Sequence, residues 1–304
     1  MAARLQRVAG PLDDLVALLD LETIEDNIFR GVSPEGEGRE RVFGGQVAAQ
    51  ALMAAGRSVP PDRPVHSLHS YFLRPGDTAV PILYTVDRIR DGRSFTTRRV
   101  VAVQHGQPIF LLSAQFQDVE EGPSHGLAMP EAPGPDSLPT SRERAQALID
   151  KGMEVPPWAL RPSPIDLRYV GEQDWGRSPE PRPDASKQVW VRADGELGDD
   201  ALLHACVVTY LSDMTLLPSV MIPWGLTWEG VAMMASLDHA MWFHRTCRAD
   251  RWLLFDQESP ASGGSRGLVT GRLFTADGDL VVSIAQEGVV RVTPEWWEAH
   301  RPNK

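Results

Sequence analysis

The chain carries the same pattern twice, once in each half of its 304 residues. Three segments of the first half recur in the same order in the second half: residues 69–73 as 239–243, residues 93–99 as 266–272, and residues 109–115 as 280–286. The offset between the copies is 170 residues for the first segment and stays within 171–173 for the others. Chance gives one such parallel far more readily than three in order, so the pattern predicts a duplicated structural unit.

Each copy also carries one helix-forming stretch ahead of its strands. The first stretch, residues 46–57, has a stripe of small apolar residues on one face. The second has a similar apolar stripe and runs from an N-cap at Asp199 or Asp200 to Pro218. One helix followed by about five mostly antiparallel strands, repeated, predicts an α+β fold in which each helix lies against a curved sheet.

Prolines separate the two copies. Twelve of the 25 prolines fall between Pro123 and Pro183, where they oppose both helices and central strands. We therefore predict a first unit at residues 12–118, a connector at 119–160 with one short helix around 142–151, and a second unit at 161–293.

Composition excludes several classes of protein. The net charge of −11 and the absence of a basic stripe argue against a nucleic-acid partner. The two cysteines, Cys206 and Cys247, form no C-x-x-C pair, so neither a metal site nor a disulfide framework is expected. We expect no signal peptide, and no apolar run approaches the ~20 residues of a membrane span. These features predict a cytoplasmic protein without a membrane span.

Residues 263–267 match G-x-S-x-G, the nucleophile elbow of serine hydrolases. An elbow needs a strand before the serine and a helix after it. The residues after Ser265 are branched and aromatic and lead to the turn pair Asp277-Gly278, which predicts a strand and a hairpin. We therefore do not assign Ser265 as a nucleophile.

Two polar residues stand where local rules disfavour them. Asp213 lies in the last turn of the second predicted helix, where the helix dipole disfavours a carboxylate by about 0.3–1 kcal/mol. Gln286 shares a strand face with Leu280, Val282 and Ile284. Each residue has two interpretations. Either it is functional, or it is exposed to solvent, Asp213 on the outer face of its helix and Gln286 at the end of its strand.

Residues 236–245, SLDHAMWFHR, hold three residue types of a catalytic triad. Neighbours on a strand point to opposite faces, so Ser236 and His239 cannot meet within one strand. His239 is then expected to be structural, and Asp238 remains a rival to Asp213 as the functional carboxylate.

Six motifs occur in order between about Leu15 and Arg291: RVFGGQVAAQAL, VHSLHSYFLRPGD, RDGRSFTTRRV, YLSDMTLLP, SLDHAMWFHR and AQEGVVR. Together they resemble the type II acyl-CoA thioesterases of the TesB family. The resemblance implies a double hotdog fold. It also implies a fatty acyl-CoA substrate, no cofactor or metal, and assembly into a homodimer or homotetramer.

The same resemblance implies three catalytic residues. The aspartate of YLSD is Asp213, the hydroxyl two positions before DH is Ser236, and the glutamine of QEG is Gln286. Many relatives have threonine where this chain has Ser236, so the methyl that would fix the hydroxyl rotamer is missing. The first predicted helix has no acidic residue, so one active site per chain is expected.

These residue types suit hydrolysis by activated water. Asp213 would act as general base, Ser236 and Gln286 would hold the water, and backbone N–H groups around Gly44-Gly45-Gln46 would stabilise the oxyanion. Two alternatives stay open: an enoyl-thioester hydratase or dehydratase that uses Asp238 and His239, and an acyl-CoA-binding protein without catalysis.

Overall fold

The computed structural model describes residues 10–34, 41–155, 157–171, 181–182 and 186–301, which form helices and one large antiparallel sheet. The first-half strands are β1 (Glu22–Glu25), β2 (Ile28–Gly31), β3 (Val65–Phe72), β4 (Ile82–Asp91), β5 (Phe95–Gln104) and β6 (Gln107–Gln117). The second-half strands are β7 (Ile165–Tyr169), β8 (Lys187–Ala193), β9 (Val231–Ser236), β10 (Asp238–Phe243), β11 (Leu253–Gly263), β12 (Arg266–Thr275) and β13 (Leu280–Val292). The α-helices are α1 (Pro11–Leu19), α2 (Gly44–Gly56), α3 (Ser141–Asp150), α4 (Ala201–Thr215) and α5 (Pro294–His300).

The strand order repeats in reverse across the centre of the sheet. It runs β1-β2-β4-β5-β6-β3 and continues as β10-β13-β12-β11-β8-β7, with β9 also paired to β13. Strands β3 and β10 join the halves, and Ala240 lies opposite His69. The predicted α+β duplication is confirmed, and each copy has a two-stranded hairpin before its helix that the sequence analysis missed.

Burial and the ladders correct the alignment of the two copies by one residue, both at β6 and β13 and at β3 and β10. Matching the buried faces of β6 and β13 pairs Leu112 with Ile284, an offset of 172 rather than 171. Leu112 lies opposite Ser70, and Ile284 lies opposite Met241. Ser70 therefore corresponds to Met241, an offset of 171 rather than 170. A one-residue change moves a side chain to the other face of a strand. Accordingly, His69 is exposed although His239 is buried.

Helices α2 and α4 pack against each other. The start of α2 meets the last turns of α4, because a Cβ on Gly45 would lie 2.5 Å from the carbonyl oxygen of Tyr210. At the other end, a Cβ on Gly56 would lie 2.4 Å from Leu202. The two helices are therefore antiparallel, and glycine permits their close approach.

The helix ends differ slightly from the predicted ones. Helix α2 starts two residues before Gln46, since Phe43 is its N-cap. Helix α4 is capped by Asp200, whose carboxylate accepts from Leu202 N–H at 2.9 Å, and it ends at Thr215. A 3₁₀ segment, Leu217–Trp224, follows it.

The segment predicted as a connector contains α3 and packs on the second half. Thr140 caps α3 and exchanges hydrogen bonds with Glu143. Farther back, Pro133 accepts a 2.8 Å hydrogen bond from the indole of Trp190. Residues Met129, Ala132 and Leu138 cover a cluster formed by Trp190, Leu254 and Phe274.

One helical stretch, Ala201–Trp224, is long and apolar enough by composition to cross a membrane. The sequence analysis expected no such stretch. About two thirds of its most apolar window, 67%, is buried within the protein. Packing of α4 into the core therefore accounts for its apolar character.

Candidate active site

Asp213 lies in the last turn of α4, directly against the start of α2. Its carboxylate accepts a hydrogen bond from the backbone N–H of Gly45. Its Oδ2 lies 2.7 Å from where a Cβ of Gly44 would stand, so a side chain at that position would displace it. The positive end of α2 thus opposes the unfavourable dipole of α4 at this carboxylate. This arrangement explains how an acidic residue is tolerated at the end of α4.

Gln286 on β13 reaches the same carboxylate. Its side chain is fully buried, so the alternative interpretation of a wet strand end is wrong. The amide Nε2 donates to Asp213 Oδ1 at 2.7 Å and to Ser236 Oγ at 2.7 Å. One amide group therefore links the other two side chains.

Ser236 is placed by a break in the sheet. It ends β9, and after Leu237 the chain resumes as β10, while both strands pair with β13. The Ser236 hydroxyl donates to Asp213 Oδ1 over a longer 3.4 Å. The structure thus brings together Asp213, Ser236 and Gln286, the three residues that the resemblance implied.

The environment of Asp213 favours its neutral form. Burial raises the pKa of its carboxyl to about 6, against the opposing effect of hydrogen bonds from Gln286, Gly45 and Ser236. The residue itself is half-buried, so one side of it remains open to solvent. A carboxylate with a pKa of about 6 is largely ionised at neutral pH and basic enough to accept a proton.

The rival pair Asp238 and His239 does not assemble. Asp238 Oδ1 accepts the backbone N–H of Glu287 at 2.7 Å. His239 points to the opposite face, is 1% exposed, and contacts Ser212 Oγ through Nε2 at 2.9 Å. Burial lowers the pKa of His239 to about 4, so its ring is neutral at pH 7. A histidine on a buried strand face was the available signal, and the sequence analysis interpreted it as structural.

Ser265 lies in a hairpin turn between β11 and β12, as the residues after it predicted. Gly264 and Ser265 both have left-handed backbone angles, with φ of +58° and +60°. A strand, and not a helix, follows the serine. The G-x-S-x-G match is therefore not a nucleophile elbow.

At the positions equivalent to His239 and Gln286, the first half has apolar residues. With the buried faces matched, Ala114 rather than Gln115 is the counterpart of Gln286, and the ladders make Leu68 the counterpart of His239. Helix α2 contains no acidic residue. Within the described residues, the polar cluster around Asp213 is thus confined to the second half.

Comparison with known proteins identifies the family. A sequence model of acyl-CoA thioesterases matches residues 181–289, and one for the acyl-CoA thioesterase N-terminal domain matches residues 33–117. Acyl-coenzyme A thioesterase 8 of Mus musculus is 42% identical over 294 residues, covering 92% of this chain and 90% of its own length. The chain belongs to the acyl-CoA thioesterase family.

Bacterial acyl-CoA thioesterases extend the likeness. Acyl-CoA thioesterase 2 of Haemophilus influenzae is 36% identical over 285 residues, covering 92% of this chain and 98% of its own length. The crystal structure of acyl-CoA thioesterase II TesB2 from Mycobacterium marinum superposes with a TM-score of 0.76 at 43% identity, covering 92% and 99% of the two chains. The fold is the double hotdog of this family, and membership makes the chain a thioester hydrolase.

Proposed function

We propose that this acyl-CoA thioesterase hydrolyses fatty acyl-CoA to a free fatty acid and coenzyme A. In this proposal Asp213 activates a water molecule that Ser236 and Gln286 hold. The observation that supports it most is the 2.7–3.4 Å contact among three polar side chains from α4, β9 and β13. These residues are far apart in sequence and belong to three separate elements of the fold.

The water molecule takes the place of the weakest contact. The hydrogen bond from Ser236 to Asp213 is the longest of the three, so a water seated between them replaces it at small cost. One Nε2–H of Gln286 then turns from Ser236 to the water oxygen, while Ser236 Oγ accepts one proton of the water and Asp213 Oδ1 accepts the other, which leaves one lone pair of the water free to attack. Fixing the nucleophile in this way removes much of the entropic cost of attack.

The reaction balances without an acyl-enzyme intermediate. The water oxygen bonds to the acyl carbon while Asp213 takes a proton from that water. The C–S bond then breaks, and the coenzyme A sulfur leaves as a thiolate that takes up a proton from Asp213 or solvent. A thiol with a pKa of about 8.5 is a sufficient leaving group without strong acid catalysis.

The expected oxyanion donors need one correction. Gly45 N–H is engaged by Asp213, and Gln46 N–H donates to Phe43 O at 3.1 Å. Among the three backbone groups expected from the sequence, Gly44 N–H is the remaining candidate. It lies at the positive end of α2, where a developing negative charge is favoured.

An apolar wall beside the base suits an acyl chain. A ring carbon of Phe72 lies 2.9 Å from where a Cβ of Gly44 would stand, close to the Asp213 carboxylate. Phe72 packs on Phe110 with ring centroids 5.0 Å apart. We propose that the acyl chain near the thioester passes along this wall, which also keeps bulk water from the carboxylate.

Thiol release from acyl-CoAs of increasing length tests the proposal. We expect Asp213→Asn to lower kcat about 10³-fold, and Ser236→Ala and Gln286→Ala to lower it about 10–100-fold. Asp238→Asn is the matched control, because it removes the carboxylate two residues after Ser236, which binds the backbone N–H of Glu287, and kcat should stay within about threefold. Equal activity of Asp213→Asn and Asp238→Asn would reject Asp213 as the base.

The two alternative functions give different outcomes. Loss of the enoyl absorbance of crotonyl-CoA without thiol release would favour a hydratase. Binding of acyl-CoA without thiol release, in the wild type and Asp213→Asn alike, would indicate a binding protein. The separate contacts of Asp238 and His239 argue against the first alternative.

We further propose that the enzyme works in the cytoplasm as a homodimer or homotetramer. Exposed edges such as β1 leave backbone groups available for pairing between copies. Light scattering of the purified chain tests the assembly, and a monomer across the working concentration range would reject it. Fractionation of the source cells tests the compartment.

A further inference from the structure

Two buried atoms beside Asp213 lack a hydrogen-bond partner. They are Nδ1 of His239 and Oε1 of Gln286. The two residues are cross-strand neighbours, one position beyond the Ala240–Ala285 pair, and both side chains are buried on the helix side of the sheet. They also interact, since Gln286 partly offsets the effect of burial on the pKa of His239.

The other ends of both side chains are already engaged. His239 Nε2 lies 2.9 Å from Ser212 Oγ. Gln286 Nε2 donates hydrogen bonds to Asp213 and Ser236. The neutral His239 ring carries one proton, on either Nδ1 or Nε2. A proton on Nε2 would leave a lone pair of Nδ1 facing a lone pair of Oε1 in a buried site. A proton on Nδ1 satisfies both atoms.

Ser212 can support the second arrangement. Its hydroxyl has one proton and three possible partners: Thr209 O at 2.8 Å, His239 Nε2 at 2.9 Å and the weaker acceptor Met241 Sδ at 3.7 Å. Donation to His239 makes Nε2 the acceptor and leaves the ring proton on Nδ1. The Thr209 oxygen would then lose the hydroxyl proton. Because it lies within α4, it can still accept the backbone N–H four residues later in the helix.

Resting on the function proposed above, we propose that His239 is a positioning residue for the active site. It donates from Nδ1 to Gln286 Oε1 and thereby fixes which end of the Gln286 amide faces Asp213. With the amide reversed, its oxygen would face the carboxylate, and Gln286 could no longer donate to Asp213 or to Ser236. The chain of donors runs from Ser212 to His239 to Gln286 and ends at Asp213, next to Ser212 in sequence.

The duplicated half shows that the fold does not require a histidine at this place. The counterparts of His239 and Gln286 are Leu68 and Ala114, which lie opposite each other and are 0% and 1% exposed. An apolar pair fills the same cross-strand position in the same sheet. The polar pair occurs in the half that holds Asp213.

The tautomer is the first test, and it does not depend on activity. Long-range ¹H–¹⁵N spectra, assigned with His239→Asn, should show the His239 proton on Nδ1 in the wild type and in Asp213→Asn. A proton on Nε2 would overturn the proposal. If Asp213→Asn kept full activity, the proposed function would fail while this result would still stand.

A double-mutant cycle is the second test, with thermal unfolding checked for every variant. His239→Leu copies Leu68 and should lower kcat about tenfold. In a Gln286→Ala background, which copies Ala114, the same change should cause no further loss. His239→Asn, whose amide nitrogen can occupy the place of Nδ1, should restore most of kcat. Independent losses in the two single variants would overturn the proposal.

Discussion

Oδ1 of Asp213 accepts a 2.7 Å hydrogen bond from Nε2 of Gln286, which lies 73 residues away in the sequence. The contact joins the end of a helix to the middle of a strand. It stabilises the ionised form of Asp213, while burial opposes ionisation and raises the pKa to about 6. The balance between these two effects controls how the enzyme responds to pH.

We predict that thioester hydrolysis falls below about pH 6. Asp213 acts as a base only when ionised, and its pKa is raised to about 6. The acid limb of kcat should therefore show an apparent pKa near 6 in thiol-release assays. In Gln286→Ala the limb should move to higher pH, because a hydrogen bond that favours the carboxylate is lost. A limb near pH 4 in both proteins would contradict the assignment.

Asp213→Asn should stabilise the fold at alkaline pH. The folded pKa of Asp213 is about 6 and its ordinary value is 3.8, so its contribution to stability is fully present below about pH 4. That contribution is lost as pH rises through 6. Asparagine does not titrate, so the variant should gain about 1–3 kcal/mol relative to the wild type between pH 4 and pH 8. Thermal unfolding at both pH values measures the difference, and a constant difference would contradict burial of the charge.

Ser236→Thr should preserve the activity that Ser236→Ala loses. Threonine keeps the hydroxyl that contacts Asp213 and Gln286, and its methyl restricts the rotamer. We expect kcat of the threonine variant at or above the wild-type value. A loss as large as that of the alanine variant would mean that the hydroxyl does not act as assigned.

Gly45→Ala should both destabilise the protein and impair catalysis. The added Cβ would lie 2.5 Å from Tyr210 O and 2.6 Å from the Phe43 ring, so α2 must move away from α4. We expect a loss of about 2–4 kcal/mol in the free energy of unfolding, measured by denaturant titration. Gly122→Ala is the control, because a Cβ there meets nothing within 4 Å.

The sequence predicted the duplication, both core helices and the three polar residues, because these leave periodic or motif-level signals. The hairpin β1–β2 left none, since all four residues of β1 are exposed and show no apolar alternation. The one-residue shift between β3 and β10 was also hidden, because ladder register depends on pairing between distant strands. The link between His239 and Gln286 depends in the same way on the pairing of β10 with β13.

Oxygen-18 single-turnover analysis tests direct attack by water most directly. The enzyme is mixed with a limiting amount of fatty acyl-CoA in labelled water and quenched. The masses of the intact protein and of the peptide that contains Asp213 are then measured by mass spectrometry. We predict label in the product acid alone and no acyl adduct on the protein. An acyl adduct on Asp213, or label in its carboxylate, would contradict the account.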